Sequence, residues 1–298
     1  MKSISTLLVL ALVPFLGIKA QKPLFVFEDS LQFGNSRFPA ISVTIPEVDY
    51  NKTLKAWIKD LETGTRSKVI TENRDMSIFG ARIKNLSPNP VNVFSRLMNL
   101  DTILQLTVSY ELKKDQYIEV STGEAELNRA KNYLKDFAKN QYIDLAKSQA
   151  DAEERKLRDL QRELSSLETQ NTRFNRSIQT NNNLIAREKE NIIIQNNELN
   201  SVSVAMTEHN NELINIEAGA AQKEKMDLVK ELENRKKKAL KSIESSEKKI
   251  NKATNAINKA TREMPRNERI QNSIKDQIAQ QEAVYQKFAD KLKTIRSY

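Results

Sequence analysis

From Leu157 to Ile216 the side chains that can be buried recur at alternating intervals of three and four residues without a slip. The register runs Leu157, Leu160, Leu164, Leu167, Asn171, Phe174, Ile178, Asn181, Ile185, Glu188, Ile192, Gln195, Leu199, Val202, Met206, His209, Leu213, Ile216. Such a spacing is the heptad seam of a helix that packs along its length against another helix. A second series, Val229, Leu232, Lys236, Ala239, Ile243, Ser246, Ile250, Ala253, Ile257, Ala260, Met264, is resumed after Pro265 by Ile274, Ile278, Gln281, Tyr285, Phe288, Leu292 and Ile295. The two series are out of phase across Gly219, the only glycine after Gly123.

A fold-back at Gly219 sets seam on seam, with Phe174 opposite Met264, Ile185 opposite Ala253, Leu199 opposite Ala239, Met206 opposite Leu232 and Asn171 opposite Asn267. The sequence therefore predicts a long antiparallel helical hairpin, a coiled coil over 124–298 with its tip near 219. In this reading the glycine supplies the left-handed residue that ends the outgoing helix. A parallel homodimer of straight helices, or a turn at Asn181–Asn183, are the competing architectures. Pro265 cannot donate a backbone hydrogen bond, so a kink or break is expected near 265. Glu188, Gln195, Lys236 and Ser246 fall on the seam, which leaves the hairpin dependent on a second copy or a partner.

The preceding segment, 21–123, follows a different grammar. Prolines and glycines separate short runs, and Ile41, Val43 and Ile45, like Leu104, Leu106, Val108 and Tyr110, alternate as strands with one buried face. LFVFE, SKVIT, SIFGARI and VNVFSRLM are further strand candidates. Leu54, Trp57, Ile58 and Leu61 take helical spacing, with Asn51 able to cap the start and Gly64 the end. Trp57 reads as core. Ser121 and Glu124 have the spacing of a capping box that opens the first arm. The class is α+β: a small sheet domain with helices on one face, then the hairpin.

Residues 1–20, MKSISTLLVLALVPFLGIKA, have the charged start, short apolar run and small terminal residue of an export signal. The expected location is accordingly exported, periplasmic or associated with the cell envelope, with no transmembrane span once the signal is cleaved. The chain has no cysteine, so no disulfide braces it. His209 is the only histidine. It has no companions with the spacing of a zinc site or a nucleophilic triad, no glycine-rich phosphate loop occurs, and no cofactor is expected.

Charge is the one uneven property. The whole chain and the stretch 223–298 each sum to +9, so the rest is neutral. Arg235, Lys236, Lys237, Lys238, Lys241, Lys248, Lys249 and Lys252, continued by Lys259, form the candidate anion-binding set. Anionic envelope polymers or lipid headgroups would meet it electrostatically. Nucleic acid is disfavoured, because no aromatic residues interleave the cations.

The segments AISVTIP, LKAWIKDL, NPVNVFSRLM and ILQLTVSYEL, with the tail from SEKKINKATNAINKA to QQEAVYQKFADKL, resemble a group of uncharacterised exported proteins of Bacteroidota-type bacteria. The resemblance implies a small α/β domain joined to a lysine-rich helical tail, and no substrate or catalytic residue. The asparagine-rich stretch 170–211 departs from that pattern. The functional expectation is a non-enzymatic envelope scaffold or adaptor that uses its coiled-coil arm for contact with a protein partner or with itself. The alternative is adsorption of the basic arm to anionic polymers or headgroups.

Overall fold

The structure, a computed structural model, describes residues 24–297; the export signal expected at 1–20 lies outside them. Seven strands alternate with or precede three helices: β1 (Val26–Phe33), β2 (Ser36–Pro46), α1 (Tyr50–Glu62), β3 (Ile70–Glu72), β4 (Asp75–Ala81), β5 (Val91–Leu100), β6 (Ile103–Lys113), β7 (Gln116–Tyr117), α2 (Glu124–Ile214) and α3 (Ala220–Arg296). The chain divides into two compact units. One comprises the residues up to Arg155 together with Ala283–Tyr298, and the other spans Lys156–Glu282.

In the first unit every strand pairing is antiparallel, in the order β1-β2-β6-β5-β4-β3, with β7 beside β6. Alternation decides the faces. Ile41, Val43 and Ile45 of β2, Val93 and Leu97 of β5, and Leu104, Leu106, Val108 and Tyr110 of β6 turn to one side. There they meet Trp57 and Leu61 of α1 and Leu127, Leu134 and Phe137 of α2. Trp57 is fully buried, stands edge-on to Phe137 at 4.9 Å between centroids, and donates its indole N–H to Ser95 Oγ at 3.0 Å. Burying an indole costs least when its one donor is satisfied, which is why a serine interrupts the apolar face of β5.

Two caps differ from the sequence reading. Asp49, not Asn51, caps α1, its carboxylate accepting from the Lys52 N–H at 2.8 Å, because the helix begins two residues earlier, at Tyr50. Gly64 follows the helix with φ of +76°, as expected. The reciprocal box lies at Glu119 and Thr122 rather than Ser121 and Glu124, and it closes a short 3-10 turn. Gly123 then accepts from the Leu127 N–H, so α2 starts where the pattern placed it.

In the second unit α2 and α3 run antiparallel, in the predicted register to within about one residue: Asn191 meets Ser246 and Glu188 meets Lys249. All the predicted seam residues of α2 are buried or half-buried. On α3 the same holds except for Lys236, which is exposed between buried Leu232 and Ala239. Ala239, Ser246, Ala253 and Ala260 recur every seventh residue and are each at most 3 % exposed. A column of small side chains lets two backbones approach closely while the larger α2 residues fill the flanks.

Gly219 does not do what the sequence reading assigned to it. Its φ lies outside the left-handed range, and nothing stands within 4 Å of where a Cβ would be. Instead α2 ends in a tightened turn, with Asn215 N–H donating to Glu212 O at 3.0 Å, and Asn215–Gly219 form the link. Gly219 accepts from the Lys223 N–H at 3.2 Å, so it caps the start of α3.

Pro265 likewise leaves α3 unbroken. It is exposed, so the carbonyl it deprives of a partner, that of exposed Thr261, can turn to water. The seam passes beneath it through Met264, Asn267, Gln271 and Ile274, the two polar members being at most 8 % exposed. Thermal melts should separate these two features. Pro265→Ala should raise stability by up to about 3 kcal/mol through the restored helical hydrogen bond, whereas Ala253→Leu should lower it by about 1–3 kcal/mol by forcing the seam apart.

Candidate functional site

Along the second unit the seam is interrupted by two polar layers. In the first, Glu188 is 9 % exposed and Ser246 1 %. Lys249 Nζ donates to Glu188 at 2.9 Å, and Asn191 Nδ2 donates to Ser246 Oγ at 2.9 Å and to Ser242 Oγ at 3.3 Å. The Lys249 hydrogen bond, then that of Ser246, holds the Glu188 carboxyl below its ordinary value. In the second, Asn267 Nδ2 donates to the Leu167 carbonyl at 3.1 Å and to Gln170 Oε1 at 3.2 Å, and Asn267 Oδ1 accepts from Gln271 Nε2 at 3.2 Å. Asn171 and Asn267, expected to face each other, share no hydrogen bond, and Asn171 Oδ1 is buried without a hydrogen-bond partner among the described residues. Polar layers of this kind admit one register, since any slip would leave their groups unpaired.

Near the link, Glu212 accepts from Lys225 and from His209 Nδ1, the latter at 3.1 Å, and its carboxyl is lowered chiefly by Lys225. His209 is thus a hydrogen-bond partner of Glu212 near the end of the seam. Among the described residues no group of three or more His, Cys, Asp or Glu is placed to hold a metal ion.

The outward heptad positions, those three places in seven turned from the seam, differ between the two helices. On α2 they are mostly Ser, Thr, Asn and Gln between 165 and 211, and every one is exposed. Apolar residues stand among them: Ile193 is 61 % exposed, Ile194 56 % and Val204 59 %. On α3 the same positions from Lys230 to Arg269 are mostly lysine and arginine, with asparagine the commonest of the rest and only Glu231 and Glu244 as acids.

The structure splits the candidate anion-binding set. Arg235 donates through Nε and Nη2 to Glu198 at 2.9 and 2.8 Å, and Lys249 is held by Glu188, so both are committed across the seam. Lys248 pairs with Glu244 on its own helix at 2.5 Å, which lowers the Glu244 carboxyl. Lys236, Lys237, Lys238, Lys241 and Lys252 are exposed and form no salt bridge with any described residue. Lys259, Arg262, Arg266 and Arg269 share their exposed face. The arginines were missed because a run of adjacent lysines draws the eye, whereas membership of a face is set by heptad position.

A second surface was not read from the sequence at all. On the sheet face opposite α1, Leu31, Ala40 and Phe94 are buried by Phe33, Phe38 and Tyr117. Phe38 and Tyr117 stack at 4.8 Å, and Phe79, 54 % exposed, meets Phe94 edge-on at 6.0 Å. The cluster draws only on strands. Its signal was alternation of aromatics: Phe27 and Phe33 in β1 share a face with Phe38 in β2.

These elements define an α+β protein, an antiparallel sheet unit followed by a coiled-coil hairpin. No described helix is long and apolar enough to cross a membrane. No family model matches the chain, and no curated protein matches it.

Glu188 carries a pH prediction. A carboxyl held low in the fold contributes stability above its ordinary value of 4.5, and that contribution fades as the pH falls through the lower folded value. Melting temperature should therefore drop as the pH falls from about 4.5 through that lower value, and Glu188→Gln should flatten the dependence while leaving the contribution of Glu212 in place.

Proposed function

We propose that this chain is a non-enzymatic scaffold or adaptor of the cell envelope, exported by its N-terminal signal and acting through its coiled-coil hairpin. The observation that carries the reading is the near-neutral outer face of α2, rich in Ser, Thr, Asn and Gln, with Ile193, Ile194 and Val204 exposed on it. The seam does not use these side chains. Apolar residues set among Asn, Ser and Thr with almost no like-charge repulsion suit contact with a second protein surface, whether another copy or a different polypeptide.

The hairpin also has the property a scaffold needs. Two polar layers fix its register, so the outer faces keep a constant azimuth relative to each other along the pair. A specific observation favours a second activity of the same arm, adsorption to anionic polymers or lipid headgroups. Lys237, Lys238, Lys241 and Lys252 stand on one exposed face and form no salt bridge with any described residue.

Photo-crosslinkable residues at positions 193 and 194 should capture a defined polypeptide, either this chain itself or one partner, in cells that produce the protein. Ile193→Ser with Ile194→Ser should weaken the same association in sedimentation experiments by about tenfold, the loss expected for about 1.4 kcal/mol of buried apolar contact, without changing helix content. A monomer that yields no crosslink from these positions would defeat the reading.

A further inference from the structure

The sorting of charge on α3 exceeds what solubility requires. A solubilising surface intersperses both signs, whereas here the acids have been moved to the flanks of the seam. Glu233, Glu247, Glu263 and Glu268 take the heptad positions that border the seam, while the outward positions from Lys230 to Arg269 hold ten cations and six uncharged residues against two acids, Glu231 and Glu244. The hairpin partner opposes this with an outer face that is close to neutral. The second unit consequently has one cationic side, about 60 Å long at 1.5 Å per residue.

We propose that this side of α3 seats on an anionic lipid surface, the headgroup phosphates meeting Lys237, Lys238, Lys241, Lys252, Lys259 and Arg262. The inference rests on the second activity given above, and it names the ligand. Three features select a bilayer surface over a soluble polyanion. The face is the convex outside of a helix, with no groove to track a flexible chain. No aromatic residue lies between Lys230 and Arg269, so nothing stacks or intercalates. Lysines dominate, and the flexible stems of those at the sides of the face can swing their ammonium groups down to a common plane, where point charges suffice. The outward positions carry no large apolar side chain, so the arm would lie on the headgroups without entering the acyl region.

Each cation near an anionic leaflet contributes about 1 kcal/mol, which is about fivefold in partitioning. The test is co-sedimentation of the full mature chain with vesicles of phosphatidylcholine containing phosphatidylglycerol, against vesicles of phosphatidylcholine alone. Binding should need the anionic lipid, vanish in high salt and fall about a hundredfold in the triple variant Lys237→Gln, Lys241→Gln, Lys252→Gln. The corresponding lysine-to-arginine triple should bind as the parent does. Arg173→Gln with Arg176→Gln and Arg187→Gln removes equal charge from exposed positions of α2 and should change binding less than about fivefold.

Equal losses from the two glutamine triples would mean that net charge alone acts, and would overturn the proposal. Binding to soluble polyphosphate without binding to vesicles would overturn the lipid assignment and leave anion binding standing. Binding to neither would overturn both. All substituted residues are exposed, and helix content measured in parallel checks that each variant folds.

Discussion

The hairpin depends on the close approach of two helices along a column of alanine and serine. A seam of two strands has little apolar surface to bury, and here α3 contributes Ala239, Ser246, Ala253 and Ala260 at the positions most deeply enclosed. The small residues compensate by proximity, because dispersion and desolvation both strengthen as backbones draw together. Larger residues on α2, such as Ile185, Ile192 and Leu199, are half-buried rather than enclosed. The apolar seam alone therefore specifies that the helices pair, and only weakly how they align.

Alignment comes from the polar layers. Glu188, Asn191, Ser246 and Lys249 form one set, and Leu167 O, Gln170, Asn267 and Gln271 another. Each places hydrogen-bonding groups where water is scarce, so each stabilises one register chiefly by penalising the others. The outer faces inherit this order. A face of cations and a face of amides and isoleucines stay distinct along the pair because the helices cannot rotate about the seam independently.

Much of this was legible in the residue pattern, and the failures share a cause. The seam, the antiparallel return and the six longer strand segments follow from periodicity, a property of sequence spacing. Gly219 was misassigned because its residue type suggested a left-handed cap, whereas the turn is closed by Asn215 and glycine serves only to start α3. Pro265 was expected to kink or break the helix because residue type outweighed position: on the exposed side its missing donor faces solvent. The aromatic cluster of the sheet could not be seen until strand pairing joined Phe38 to Tyr117 and Phe94 to Phe79. Within the candidate anion-binding set, sequence cannot tell Arg235, which reaches across to Glu198, from Lys237, which does not.

The two polar layers also constrain how such an arm can change length over generations. They act as paired rungs: the stretch of α2 from Gln170 to Asn191 must match that of α3 from Ser246 to Asn267. A deletion of one heptad on a single side would leave one rung unmatched. Viable variants in size should therefore lose or gain turns in couples, one on each limb, or do so beyond the outer rung, where only the link between Asn215 and Gly219 has to follow.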